Sequence, residues 1–257
     1  MENGDRIDEI IYPILKDVWG YSDFRPMQRE IIHQIMLNRD ILAILPTGGG
    51  KSICFQVPAL AKRGICIVVS PLIALIKDQV QNLKKLNIKA LSVHSGMSYR
   101  EVDIALDNAI YGNYKFLYLS PERLNTQLFR ARVSRMDVSM IVVDEAHCIS
   151  QWGYDFRPDY LTISQIKSEV ARNRRDVDSE FIPHDVPIIA LTATATEKVA
   201  DDICDRLSFA SKNIIRSGFD RPNLSYLVKQ TENKLGNLLA LCNKINGSAI
   251  IYEKKKK

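Results

Sequence analysis

A chain of 257 residues, 46% of them hydrophobic, has ample length to bury a core as one large domain or one and a half. Its five cysteines are scattered without a Cys-x-x-Cys pair, which fits neither a disulfide framework nor a zinc site, and four lysines against one glutamate in the last five residues supply most of the +5 net charge. The nearly neutral body gives no bulk-charge argument for nucleic acid, and the polar start and the lack of any apolar run of about 18 residues point to a reduced, cytoplasmic protein with no membrane partner.

In chain order, WGYSDFRPMQREII (19–32) comes first, with Tyr21, Arg25 and Gln28. A Gln amide donates and accepts at once, matching the N6 donor and N7 acceptor of adenine, while Tyr and Arg planes stack on a base. The plainer alternative is an amphipathic helix start that buries Tyr21 and Phe24 and exposes Gln28.

ILAIL (41–45) follows, then ICIVV (65–69), LSV (91–93), FLYL (116–119), MIVV (140–143) and IIAL (188–191). These runs are continuous rather than alternating, as strands buried on both faces of a parallel sheet are. Helical patterns lie between them. Ser70-Pro71 and Ser120-Pro121 each set a capping hydroxyl before a first-turn proline, and Ser98-x-x-Glu101 spells a capping box. Strand and helix alternate, so the expected architecture is α/β with a mainly parallel sheet flanked by helices.

After the first strand comes LPTGGGKS (45–52). Strand, glycine-rich turn and helix start match a phosphate-loop arrangement, in which Thr47, Gly48, Gly49 and Gly50 would wrap the phosphates, Lys51 would reach them and Ser52 would take Mg²⁺; the plainer alternative is an incidental flexible turn. Leu45 stands where the strict motif has its first glycine.

VVDEAH (142–147) ends a strand in Asp144, where a carboxylate can hold the same Mg²⁺, and Glu145, which can orient a water, although an acidic pair after a strand is by itself as readily a solvated one. With TGGGKS in the same α/β chain, the pair makes ATP hydrolysis the leading reading. The loop that follows interleaves Trp152, Tyr154 and Phe156 with Asp155 and Arg157, and suits single-stranded nucleic acid or, more simply, a covered sheet edge. Residues 171–185 are charged without apolar periodicity, as a surface insertion is.

ALTATAT (190–196) closes a further strand with Thr192 and Thr194, which bridge polar groups or cap the next helix. Beyond it, 217–228 reads as a connector with an edge strand, 231–245 as a helix and SAIIY (248–252) as a strand opening another sheet, before the lysine run. The expected division is therefore 1–218 as the first domain and 219–257 as a connector and the start of a second.

Together these segments resemble the first RecA-like domain of superfamily 2 helicases, and specifically the RecQ DNA helicases, over about residues 10–252. GYSDFRPMQ, LPTGGGKS, SPLIALIKDQV, LYLSPERL, DEAHCISQWGYDFRP, ALTATAT and FDRPNL carry the resemblance. It implies a P-loop ATPase in which Tyr21, Arg25 and Gln28 hold adenine, Lys51 binds phosphate, Ser52 and Asp144 carry Mg²⁺, and Glu145 positions the water. His147, Trp152, Phe156 and Arg157 would couple single-stranded or partly duplex DNA to hydrolysis, with Thr192 and Thr194 in the coupling motif. Ser70 and Ser120 would touch the DNA backbone.

The resemblance further implies a second RecA-like domain that supplies an arginine to the ATP site, so a chain ending in its first strand would bind ATP but unwind poorly. Two other functions compete: an RNA helicase of the DEAD or DEAH type, and a nucleotide-gated binding module without turnover.

Overall fold

The computed structural model describes residues 3–152, 155–177, 186–218 and 224–252. Two helices lead in, α1 (Asn3–Trp19) and α2 (Gln28–Met36), and then strands and helices alternate: β1 (Ile41–Ile44), α3 (Lys51–Ala61), β2 (Ile65–Val69), α4 (Ile73–Lys85), β3 (Ala90–Val93), α5 (Tyr99–Tyr111), β4 (Phe116–Leu119), α6 (Gln127–Val133), β5 (Val138–Val143), α7 (Ile163–Val177), β6 (Ile188–Thr192), α8 (Glu197–Arg206) and β7 (Ile214–Arg216). The strands form one sheet in the order β3-β4-β2-β5-β6-β1-β7, every recorded pairing parallel. The expected α/β sheet is present.

Side chains along a strand point alternately to the two faces, and both faces here are apolar. Leu42, Ile44, Ile67, Val69, Ile141 and Val143 pack with residues of α5 to α8, whereas Ile41, Ala43, Cys66, Val68 and Val142 pack with α2, α3 and α4. Ile7, Ile11 and Leu15 of α1 lie outside that layer, against Ile32 and Val57.

Asp40, just before β1, ties the far end of the sheet. Its carboxylate accepts Lys167 Nζ at 2.7 and 2.8 Å and the Ile188 N–H at 2.8 Å, and its carbonyl accepts Asn213 Nδ2 at 3.2 Å. One side chain thereby joins α7 and the starts of β6 and β1.

Several local expectations change. The Ser98–Glu101 capping box forms, but Ser70 caps nothing: α4 starts at Ile73, and the Ser70 hydroxyl donates instead to Asp144 Oδ2 at 3.2 Å. Ser120 precedes a 3₁₀ turn, Pro121–Asn125, and its hydroxyl donates to Glu122 Oε1 at 2.5 Å. Of residues 171–185, expected as a surface insertion, 171–177 continue α7, whose first half is anchored by the buried Ile163, Ile166 and Val170; 178–185 lie outside the described residues. Strand β7 was not anticipated. It is three residues long, too short for a periodic signal.

Residues 1–219 and 220–257 form two separate units. In the second, α9 (Lys234–Lys244) matches the expected helix, with Asn233 capping the Gly236 N–H at 2.9 Å. Of the two expected strands, the described residues 224–228 and 248–252 carry no strand pairing, and 219–223 and 253–257 lie outside the described residues. A β-prone run such as SAIIY needs a neighbouring strand to supply its hydrogen bonds, and among the described residues none pairs with it.

Candidate nucleotide and coupling site

Parallel topology brings the predicted groups to one edge. β1, β6 and β5 are neighbours, and their carboxyl ends lead into the glycine loop, into Thr192–Thr194 and into Asp144–Glu145. This is where open α/β sheets present ligand crevices.

Leu45 prolongs β1: it is buried, and its N–H donates to the Thr192 carbonyl at 3.0 Å. The chain has no need to turn there, so no glycine is required until Gly48. Gly50, at φ +75°, is the N-cap of α3, and a Cβ on it would lie 2.4 Å from Gln28 Nε2. At Gly49 a Cβ would meet the Pro46 carbonyl at 2.8 Å. Side chains are thus excluded at Gly49 and Gly50, where the loop opens onto the N-terminus of a helix whose first turn holds no acidic residue. Lys51 Nζ reaches back to the Leu45 carbonyl at 3.4 Å, and Ser52 is the second residue of α3. Thr47 is exposed at the loop's tip.

Gln28 is buried against this loop rather than exposed. Its amide N–H groups donate to the carbonyls of Gly50 (3.0 Å) and Gly49 (3.4 Å), its oxygen accepts the Arg25 N–H (2.8 Å), and Arg25 Nη1 donates to the Gly48 carbonyl (2.6 Å). The amphipathic alternative fails, since Gln28 is 3% exposed and Tyr21 is 54% exposed. Tyr21 stands free for stacking while the other two residues brace the loop.

At the end of β5, Asp144 takes hydrogen bonds from Ser70 Oγ and, at 3.0 Å, from the Glu145 N–H. Burial, and then repulsion from Glu145, raises the Asp144 carboxyl above its usual range, while the charge of Lys51 acts on both carboxylates in the opposite sense. A buried carboxylate raised in this way gains from a cation, so the donor set of Ser52 and Asp144 fits Mg²⁺, an ion that takes few protein ligands and completes its shell with phosphate and water.

Glu145 occupies the left-handed region at φ +48°, costly for a side-chain residue. That backbone turns its carboxylate toward His147, whose Nδ1 lies 3.2 Å from Glu145 Oε2 and 3.1 Å from Thr192 Oγ1. The Thr192 hydroxyl donates to the Thr194 carbonyl at 3.2 Å and accepts the Thr194 N–H. Its proton is therefore spent, which assigns the proton to His147 Nδ1. The histidine hydrogen bond holds Glu145 below the ordinary carboxylate range. His147 itself is raised by the Cys148 sulfur and the Glu145 carboxylate. Thr192 does not cap α8; Thr196 does, accepting the Val199 N–H at 3.4 Å.

The loop beyond rests on α8. Lys198 Nζ sits 3.2 Å from the centre of the Trp152 ring, and the Arg206 guanidinium 5.9 Å from that of Phe156. Trp152 remains 63% exposed, so it does not merely cover the sheet edge; Tyr154 lies outside the described residues. Arg157 is paired with Asp155 at 2.9 Å and donates to the Pro71 carbonyl at 3.3 Å, joining this loop to the segment after β2. Ser70 and Ser120 are buried and their hydroxyls are committed internally.

Reasoning from sequence missed Ser70 as a partner of Asp144, and Tyr160, whose hydroxyl donates to the Asp144 carbonyl at 3.2 Å. It also missed Lys198 under Trp152; no local pattern marks any of the three.

Residues 25–203 match the DEAD/DEAH box helicase family. The chain is similar to the ATP-dependent DNA helicase RecQ of Bacillus subtilis, 44% identical over 86% of this chain and 36% of that protein, and to that of Pasteurella multocida, 39% identical over 93% and 36%. It spans about a third of these relatives' length. Among solved structures, the Pyrococcus furiosus Hef helicase domain superposes with a TM-score of 0.57 at 22% identity, over 81% of this chain and 40% of that one, a likeness of fold. Among the described residues no helix is long and apolar enough to cross a membrane.

Proposed function

We propose, since the chain belongs to the DEAD/DEAH box helicase family, that it is the ATP-binding motor half of a RecQ-type 3′-to-5′ DNA helicase. Residues 1–218 form its first RecA-like domain, and 219–257 the connector and beginning of a second. The observation that carries the reading is the meeting of the glycine loop, the Asp144–Glu145 pair and Thr192 at the ends of three adjacent strands, with His147 between the last two.

In this reading Tyr21, Arg25 and Gln28 select adenine. Thr47 to Lys51 enclose the phosphates, and Ser52 and Asp144 hold Mg²⁺. Bound MgATP supplies the labile phosphoanhydride and the divalent charge that neutralises it. Glu145, kept ionised by His147, orients the attacking water. A strand of DNA stacked on Trp152 and Phe156 moves the loop that begins at Glu145, and His147 passes the change to Thr192. Arg157 anchors that loop, and Ser70 and Ser120 fix the turns along which the strand runs. The complete hydrolytic site also needs an arginine from the second RecA-like domain, a contribution of about 10³ to 10⁵ in rate in other nucleotide hydrolases.

The test is ATP hydrolysis by this chain alone, with single-stranded DNA, with single-stranded RNA and with neither, using Glu145→Gln as the blank. Nucleotide binding with turnover near the blank, restored when the rest of the motor is supplied and stimulated by DNA, is the expected result. Robust unwinding by the chain alone would overturn the division of labour. Preferential stimulation by RNA would shift the assignment to an RNA helicase, and failure of the restored motor to hydrolyse ATP would favour a nucleotide-gated binding module.

A further inference from the structure

Helix α1 holds both ends of the segment that carries Arg25 and Gln28. Asp8 and Tyr12 stand one turn apart on the same face of that helix. Asp8 accepts Arg29 Nε at 3.1 Å, pairs with Arg29 Nη2 and lies 2.7 Å from His33 Nε2, so it grips α2 immediately beyond Gln28. Tyr12 donates its hydroxyl proton to Asp23 Oδ1 at 3.1 Å. The same oxygen accepts the Phe24 N–H at 2.7 Å, and the rings of Tyr12 and Phe24 meet edge to face at 4.9 Å.

Between the two anchors the backbone is strained: Met27 lies in the left-handed region at φ +70° without being glycine. Such a residue persists only where its surroundings over-determine it. Here the surroundings are Tyr12 on one side and Asp8 on the other, and the turn they enforce aims Gln28 Nε2 at Gly49 and Gly50 and Arg25 at Gly48.

We infer that Asp8 and Tyr12 are positioning residues for base selection: by clamping residues 23–33 from α1, they set the Gln28 amide where it distinguishes adenine from guanine nucleotides. The inference rests on the reading of Gln28 as the adenine contact. Gln28 already uses both ends of its amide within the protein, so binding a base trades bonds rather than adding them, and small displacements of the segment alter selectivity before they alter affinity for the triphosphate.

The experiment measures Kd for ATP and for GTP by calorimetry on the 257-residue chain carrying Tyr12→Phe, Asp8→Asn or Gln28→Ala. Tyr12→Phe keeps the ring contact with Phe24 and removes only the bond to Asp23; circular dichroism melting verifies that each variant is folded. The expected result is a loss of roughly tenfold for ATP in Tyr12→Phe and in Asp8→Asn, as for one hydrogen bond. GTP affinity is unchanged, so the ATP:GTP ratio falls toward that of Gln28→Ala. An equal loss for both nucleotides marks a merely structural role and overturns the inference. A ratio that collapses in Gln28→Ala but holds in both α1 variants overturns the inference and leaves the adenine reading intact. A ratio unmoved by Gln28→Ala, or no nucleotide binding at all, removes the adenine reading and the inference with it.

Discussion

His147 Nδ1 stands 3.1 Å from Thr192 Oγ1 and 3.2 Å from Glu145 Oε2, so one imidazole joins the acidic turn after β5 to the hydroxyl at the end of β6. Its basicity is raised from 6.5 to about 10, first by the Cys148 sulfur and then by the Glu145 carboxylate. A base raised on folding adds stability that is complete below its ordinary value and is lost as pH rises through the raised one. Urea unfolding of the chain and of His147→Gln is therefore expected to show the largest gap below pH 6.5, narrowing up to about pH 10. A gap that widened with pH would place the proton elsewhere.

Gly48 and Gly50 share a left-handed backbone but differ in their surroundings. A Cβ at Gly48 meets nothing within 4 Å, whereas one at Gly50 would meet Gln28 Nε2 at 2.4 Å. Gly48→Ala is expected to cost about 1 kcal/mol from backbone strain alone. Gly50→Ala costs more and also displaces Gln28 from the loop, lowering nucleotide affinity. Adding Gln28→Ala to Gly50→Ala relieves the clash but not the strain, so thermal melts of the two singles and the double separate the contributions.

How far the sequence disclosed this arrangement follows from the range of each interaction. The glycine loop and the acidic pair were legible because close ligand approach and charge at a strand end restrict residue type over a few positions, and the strands because burial on both faces leaves continuous apolar runs. Ser70 was misassigned by a sound local rule: a hydroxyl before proline caps helices, but here its partner is Asp144, 74 residues away. Asp8 with His33, Asp40 with Lys167, and Lys198 with Trp152 are likewise contacts between elements, which composition and spacing do not encode. The described apolar anchors of α7 are Ile163, Ile166 and Val170, in its first half, and the charged run that follows carries no apolar spacing in the sequence.

Asp40 and Lys167 form the most enclosed ion pair among the described residues, with side chains 6% and 19% exposed. Removing one member strands a charge, which costs about 3 to 5 kcal/mol at buried pairs. Asp40→Ala also frees the Ile188 N–H, so it is expected to fall at the upper end of that range, and Lys167→Met at or below the lower end. The double substitution Asp40→Ala with Lys167→Met should be less destabilised than the sum of the singles. Denaturant midpoints of the four proteins check this, and strict additivity would show that the two side chains do not act as a pair.

Trp152 carries its exposed ring over Lys198, whose ammonium lies 3.2 Å from the ring centre. A base stacking on that ring competes with the ammonium for the same face, which frees Lys198 for a phosphate. The two residues should then leave different signatures in binding to a single-stranded oligonucleotide. Trp152→Ala is expected to weaken binding by about 1 to 3 kcal/mol, the range for one stacked base, with little change in salt dependence, since the indole carries no charge. Lys198→Met keeps the stack and loses one phosphate contact, so the slope of log K against log salt should become shallower by about 0.7. Titrations at several salt concentrations, followed by the anisotropy of a fluorescently labelled oligonucleotide, measure both. If Lys198→Met left the slope unchanged, Lys198 would serve only to hold the ring, and the loop would offer a single strand its aromatic face alone.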